Sequence, residues 1–118
     1  MRVKKAVGII KKYEDDTEYW LGFKDDHLKL PTVVFNDGGS EEELWEMAME
    51  ALEKELKEYG IDVKSVEKYR NPAHPLINIK KGLPLSIKDE TYFFLEVVEY
   101  EGDPVKGEWI PREEFKNL

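Results

Sequence analysis

Apolar positions along the chain fall into short β-branched and aromatic runs at both ends and a helical rhythm in the middle. Arg2 to Lys11, RVKKAVGIIK, is a β-branched run with an apolar centre, and Glu18 to Phe23, EYWLGF, follows the polar turn YEDDT. The two predict a β-hairpin. LKLPTVVFNDGGS carries apolar residues on both sides of Pro31 and closes on NDGG, a turn signal that leads into a helix. Ser40 with Glu43 three residues on forms a capping box: the hydroxyl accepts from an early helix amide and the carboxylate reaches back. Leu44, Ala48, Leu52, Leu56 and Tyr59 then recur at spacings of four and three, Trp45 and Met49 widen that face, and Gly60 supplies a left-handed stop. This spacing predicts one helix of about five turns.

Val63 to Tyr69 and Glu90 to Tyr100 (ETYFFLEVVEY) read as strands rich in β-branched and aromatic residues. The proline-rich stretch between them predicts a long loop with short extended pieces, and a loop of that length in a small domain is often functional. The last segment, EGDPVKGEWIPREEFKNL, predicts a turn, a short strand at Glu108 to Ile110 and a final helical turn opened by Pro111.

A length of 118 residues with 41% hydrophobic and 12% aromatic content suits one compact domain spanning residues 1–118. The apolar run from Ala6 to Ile10 is too short to cross a bilayer, nothing resembles a signal peptide, and the expected location is the cytoplasm. With no cysteine, disulfides, thiolate catalysis and Cys-based zinc sites are excluded, and two histidines argue against a protein-only zinc site. Any metal would be bound by oxygen. A formal charge of -8 argues against broad nucleic-acid binding, which rests on Lys and Arg displacing counterions from phosphates. The charged fraction of 37%, dominated by Glu and Lys, is compatible with a hyperthermophile or with an engineered sequence.

The hairpin, the proline-marked loop, the helix ending in Gly-Ile, the long strand and the terminal Trp before a short helix together resemble the Nudix (MutT-like) hydrolase superfamily. The resemblance covers almost the whole chain and implies an α+β fold. That fold is an α/β/α sandwich with a mixed sheet, one long helix after a Leu-Pro loop, and a short C-terminal helix. The family box is written G-x5-E-x7-R-E-U-x-E-E-x-G-U, with U aliphatic, usually introduced by Leu-Pro-Gly-Gly. Leu30-Pro31 matches the introduction, whereas Thr32 and Val33 replace the paired glycines and Gly39 stands where the first glutamate would be. Counting back from Gly60 without a gap puts Glu53, Lys54 and Glu55 on R-E-U and a charge on the core face. With one residue missing before Tyr59, Lys54, Glu55, Leu56 and Glu58 fall on R-E-U-x-E and Leu56 faces inward.

In that register the resemblance implies that Lys54 takes the arginine position. It makes Glu55 and Glu58 two metal-binding carboxylates, with Glu58 also catalytic. The family's glutamate cluster holds magnesium or manganese against a diphosphate. Lys24 resembles a basic residue that contacts substrate phosphates, Trp20 or its neighbour Tyr19 is placed to stack on a base, and Glu108-Trp109 matches a late segment whose acid is a candidate base. His27 and His74 lack any nucleophile signature beside them and read as ordinary loop residues.

Two functions are expected from different classes. One is a divalent-metal-dependent hydrolase that cuts a diphosphate linkage in a nucleotide or nucleoside-diphosphate derivative. The other is a Nudix-fold binding module or stabilised scaffold without catalysis, since Glu50–Lys54 and Glu53–Lys57 also read as i, i+4 pairs on a solvated face. Exposed strand edges make a homodimer an expectation as well.

Overall fold

A computed structural model describes residues 3–24, 28–35, 39–69, 85–87 and 89–117. The hairpin forms from β1 (Val3–Glu14) and β2 (Thr17–Lys24), both longer than the apolar pattern suggested. Asp15 and Asp16 join them with positive φ of 50° and 63°. A two-residue turn of this hand matches the twist of the strands it connects. β3 (Leu28–Lys29) pairs with the end of β2, and β4 (Thr32–Phe35) pairs with the start of β1, so Pro31 separates two short strands.

The helix α1 (Glu41–Glu58) begins with the expected box: Ser40 accepts from the Glu43 amide, and the Glu43 carboxylate accepts from the Ser40 amide. Its predicted stripe is the buried one, with Trp45, Ala48, Leu52 and Leu56 fully enclosed. After it come β5 (Asp62–Lys68), β6 (Leu85–Ile87), β7 (Glu90–Glu101) and β8 (Glu108–Pro111). The chain closes in the short C-terminal helix that the sequence predicts, wound as a 3-10 helix (Arg112–Asn117), with Pro111 ending β8 rather than opening the helix. A six-residue stretch is at the length where the tighter 3-10 winding commonly replaces the α form.

The eight strands of the described residues join one mixed sheet whose main path runs β3-β2-β1-β7-β5. β1 is shared. Val3 to Ile10 run parallel to β7, and Lys11 to Glu14 run antiparallel to β2. Both faces of the sheet are covered, so the central strands are apolar on both sides. On one face Ala6, Ile10, Leu21, Phe93, Leu95 and Val97 pack under α1. On the other, Val7, Ile9, Trp20, Leu30, Tyr69 and Ile110 pack around Phe115 of the 3-10 helix. At about 1.5–3 kcal/mol per buried large side chain, these two clusters are the principal drive to fold. Among the described residues no helix is long and apolar enough to cross a membrane.

The C-terminal end of α1 is tied down by the turn between β7 and β8. Val105 donates its amide to the Tyr59 carbonyl at 2.7 Å, and Gly60 (φ +90°) and Gly102 (φ +101°) pass each other with no room for a Cβ on either. Both positions therefore require glycine.

Candidate functional site

The last turn of α1 carries the residues singled out by the motif. Leu56 is fully buried, Glu55 is half-buried, and Lys54 and Glu58 are exposed, so the inward position falls on Leu56 as the gapped register requires. Glu55 and Glu58 stand one helical turn apart. Tyr59 closes the helix, largely buried and edge-on to Phe23 with ring centroids 5.7 Å apart. Burial raises the Tyr59 phenol above its usual value, and the charges of Glu55 and Glu58 raise it further, which places both carboxylates within electrostatic reach of that hydroxyl.

The Glu-Lys pairing expected along this helix does not close. Among the described residues neither Glu50–Lys54 nor Glu53–Lys57 comes within 4 Å, and neither Glu55 nor Glu58 is held in an ion pair. Exposed long side chains gain too little from a surface pair to hold one geometry.

Lys24 and Glu108 are brought together by the β2–β8 register, which sets Gly22 opposite Glu108. The Lys24 ammonium lies 4.0 Å from Glu108 and 3.7 Å from Glu114 of the 3-10 helix. Strand alternation places this cluster on the Trp20–Phe115 face, across the sheet from α1. Among the described residues no hydrogen bond or ion pair joins it to Glu55 or Glu58.

Trp20 is fully buried, stacks on Phe115 at 5.5 Å, and donates its indole N–H to Glu18 at 2.7 Å. It is a core residue, with no face left for a base; Tyr19, its neighbour on the other side of the strand, is half-exposed. His27 and His74 lie outside the described residues, as does most of the proline-rich stretch, of which β6 is an extended piece.

A polar network missed by motif reading sits on the 3-10 side. Glu18 accepts from Tyr13 at 2.8 Å and from Trp20, lies 3.8 Å from Arg112, and neighbours Lys11, which pairs with Glu96 at 3.1 Å. Burial pushes the Glu18 carboxyl up, but the Trp20 and Tyr13 hydrogen bonds with the Lys11 and Arg112 charges outweigh it and hold Glu18 below its usual value. Burial, with Glu96 and Glu18 nearby, pushes the Tyr69 phenol up to about 12. The signal in the sequence was a glutamate two residues before a core tryptophan, on the same side of a strand.

Carboxylate oxygens suit magnesium or manganese. Among the described residues no group of three or more His, Cys, Asp or Glu is gathered to hold a metal. Gly39 adds to this: a Cβ there would lie 2.8 Å from the Glu43 carboxylate, so the capping box occupies the space a glutamate at that position would need.

In three-dimensional structure the chain is similar to MutT as described for Aliivibrio salmonicida and Vibrio cholerae. The identity is 18% and the TM-score 0.59, covering 94% of this chain and 81% of that one. The fold is Nudix-like. An Ap4A hydrolase from C. elegans also aligns, at 18% identity and TM-score 0.47, over 100% of this chain and 89% of that one. No family model and no curated protein matches the sequence. The Nudix-like frame is thus carried by element order and sheet topology, with few identical residues.

Proposed function

We propose that the protein is a Nudix-like hydrolase that cuts a diphosphate linkage in a nucleotide-type substrate with the help of one divalent ion. The observation that carries this reading is the pair Glu55 and Glu58. They stand one turn apart at the end of the main helix of a Nudix-like fold, and neither is engaged in an ion pair among the described residues. Magnesium or manganese bound there would neutralise diphosphate charge and lower the pKa of an attacking water. Glu55 and Glu58 would hold the ion, Glu58 being the more open to solvent, and Lys54 on the same turn would offset phosphate charge. Lys24 and Glu108, paired on the opposite face, serve the 3-10 helix in this reading and enter no step.

A thermal melt tests the metal half. Magnesium is expected to raise the melting temperature of the wild-type protein, and Glu58→Gln to remove the shift. An equal shift in both proteins would place the ion elsewhere.

A second reading, a binding module without hydrolysis, is favoured by the absence of a three-carboxylate group among the described residues and by the capping role of Glu43 beside Gly39. It predicts ligand binding without metal-dependent turnover.

A further inference from the structure

The mixed sheet ends at β5, which among the described residues pairs with β7 alone. An end strand presents unpaired backbone groups on which a second chain can extend the sheet. Tyr69 donates its amide to the Phe94 carbonyl, Lys68 stands opposite Leu95, and Glu67 stands opposite Glu96. Antiparallel partners alternate between bonded and unbonded pairs, so the backbone groups of Lys68 and Val66 turn away from β7 toward the open edge. Just before them the strand is interrupted. Val63 pairs with Tyr100 and Ser65 with Glu99, which leaves Lys64 unopposed, while Val98 of β7 is unopposed between Val97 and Glu99. Lys64 is thus a bulged residue on the end strand, its ammonium 2.9 Å from Asp62 and 3.8 Å from Glu101. A bulge bends its strand and increases the local twist.

Charge guards the part of the edge that the bulge leaves straight. A second copy adding antiparallel through Val66 and Lys68, related by a two-fold axis, meets a like charge in each register open to it. Pairing Val66 with Lys68 of the other copy sets Glu67 opposite its own counterpart. Pairing Val66 with its counterpart sets Lys64 opposite Lys68, and pairing Lys68 with its counterpart opposes two ammonium groups. Like charges directly opposite destabilise a strand pair. The core does not require these charges: Val63 and Val66 pack under α1, whereas Lys64 and Glu67 are exposed. Lys68 lies over the Trp45 ring, 5.0 Å from its centroid. We infer that the Lys64 bulge and the charges of Glu67 and Lys68 hold the β5 edge closed to a second copy of this chain. A homodimer of this protein then forms through another surface.

The test is sedimentation velocity over a concentration series, with hydrogen exchange read at the Val66 and Lys68 amides. It compares the wild-type protein with Lys64→Thr/Glu67→Thr/Lys68→Thr and with Glu67→Thr alone, each first shown to melt cooperatively. Threonine suits a strand and carries no charge. The single variant keeps Lys68 on Trp45 and lifts the repulsion in the register centred on residue 67, so it carries the test if the triple variant does not fold. In the wild-type protein, exchange at both amides is expected to be independent of concentration. The triple variant is expected to self-associate about tenfold or more tightly than wild type, with both amides protected as concentration rises. Glu67→Thr moves in the same direction by a smaller factor. Wild-type protection at Val66 and Lys68 that grows with concentration would show an open edge and overturn the inference. So would variants that associate no more tightly than wild type, or association that leaves both amides exchanging freely.

Discussion

Gly102 passes so close to the Gly60 carbonyl that a Cβ on Gly102 would lie 2.3 Å from its oxygen. Two backbones in contact have no flexible side chain to yield, and φ of +101° at Gly102 is strained for any L residue. Gly102→Ala is therefore expected to cost about 2–3 kcal/mol, read as a lowered urea midpoint. It is also expected to release the β7–β8 turn, read as faster hydrogen exchange at the Val105 amide, which Tyr59 otherwise protects. A variant as stable as wild type would show that this crossing is not a fixed contact.

Glu18 joins the hairpin to the 3-10 helix through Tyr13, Trp20 and Arg112, and its side chain is only 13% exposed. Glu18→Gln keeps an acceptor but loses the charge, for an expected cost of about 1–2 kcal/mol at neutral pH. A carboxylate whose folded pKa lies below the ordinary 4.5 stabilises the fold above that value, and the contribution disappears as pH falls through the folded pKa. The stability gap between wild type and Glu18→Gln should hold at neutral pH, begin to narrow below 4.5 and disappear as pH falls through the lowered folded pKa. Denaturant titrations across this range check it; a gap independent of pH would remove the charge from the explanation.

Trp45 is 2% exposed and packs edge-on to Phe93 at 4.9 Å, yet among the described residues its indole nitrogen finds no acceptor. A buried donor left unpaired costs about 1–3 kcal/mol. Trp45→Phe removes it while keeping a ring, at the expense of a small gap worth about 1 kcal/mol. The two effects offset, so the melt of Trp45→Phe should stay close to wild type. Leu52→Ala, which removes a fully buried side chain with no such compensation, should cost about 2–5 kcal/mol. A large loss in Trp45→Phe would mean that the nitrogen has a partner, such as an ordered water.

Local signals carried much of the fold. The Ser40–Glu43 box, the Leu44-to-Tyr59 stripe and Gly60 each act within a few residues, and the helix they specify runs from Glu41 to Glu58. Strand identity in β7 was equally readable from its β-branched and aromatic residues, and burial alternates from Glu90 to Val97. Which face Trp20 takes was not readable: β2 is covered on both sides, so Trp20 and Leu21 are both fully buried and alternation loses its meaning. The contacts of Lys24 with Glu108 and Glu114, and of Lys106 with Tyr59, depend on strand register and on the β7–β8 turn, which join segments far apart in the chain. The 3-10 form of the last turn turns on a difference of hydrogen-bond spacing that composition does not encode.

Whether Glu55 and Glu58 hold a metal for diphosphate hydrolysis is read most directly from product release. Phosphate and nucleoside monophosphate would be measured from a panel of nucleoside triphosphates, dinucleoside polyphosphates and ADP-ribose, with magnesium or manganese and with chelator. Turnover of at least one substrate is expected, abolished by chelator and reduced about 10²-fold or more by Glu58→Gln with its melt intact. No turnover across the panel by a cooperatively folded protein, or turnover that Glu58→Gln leaves unchanged, would contradict that role.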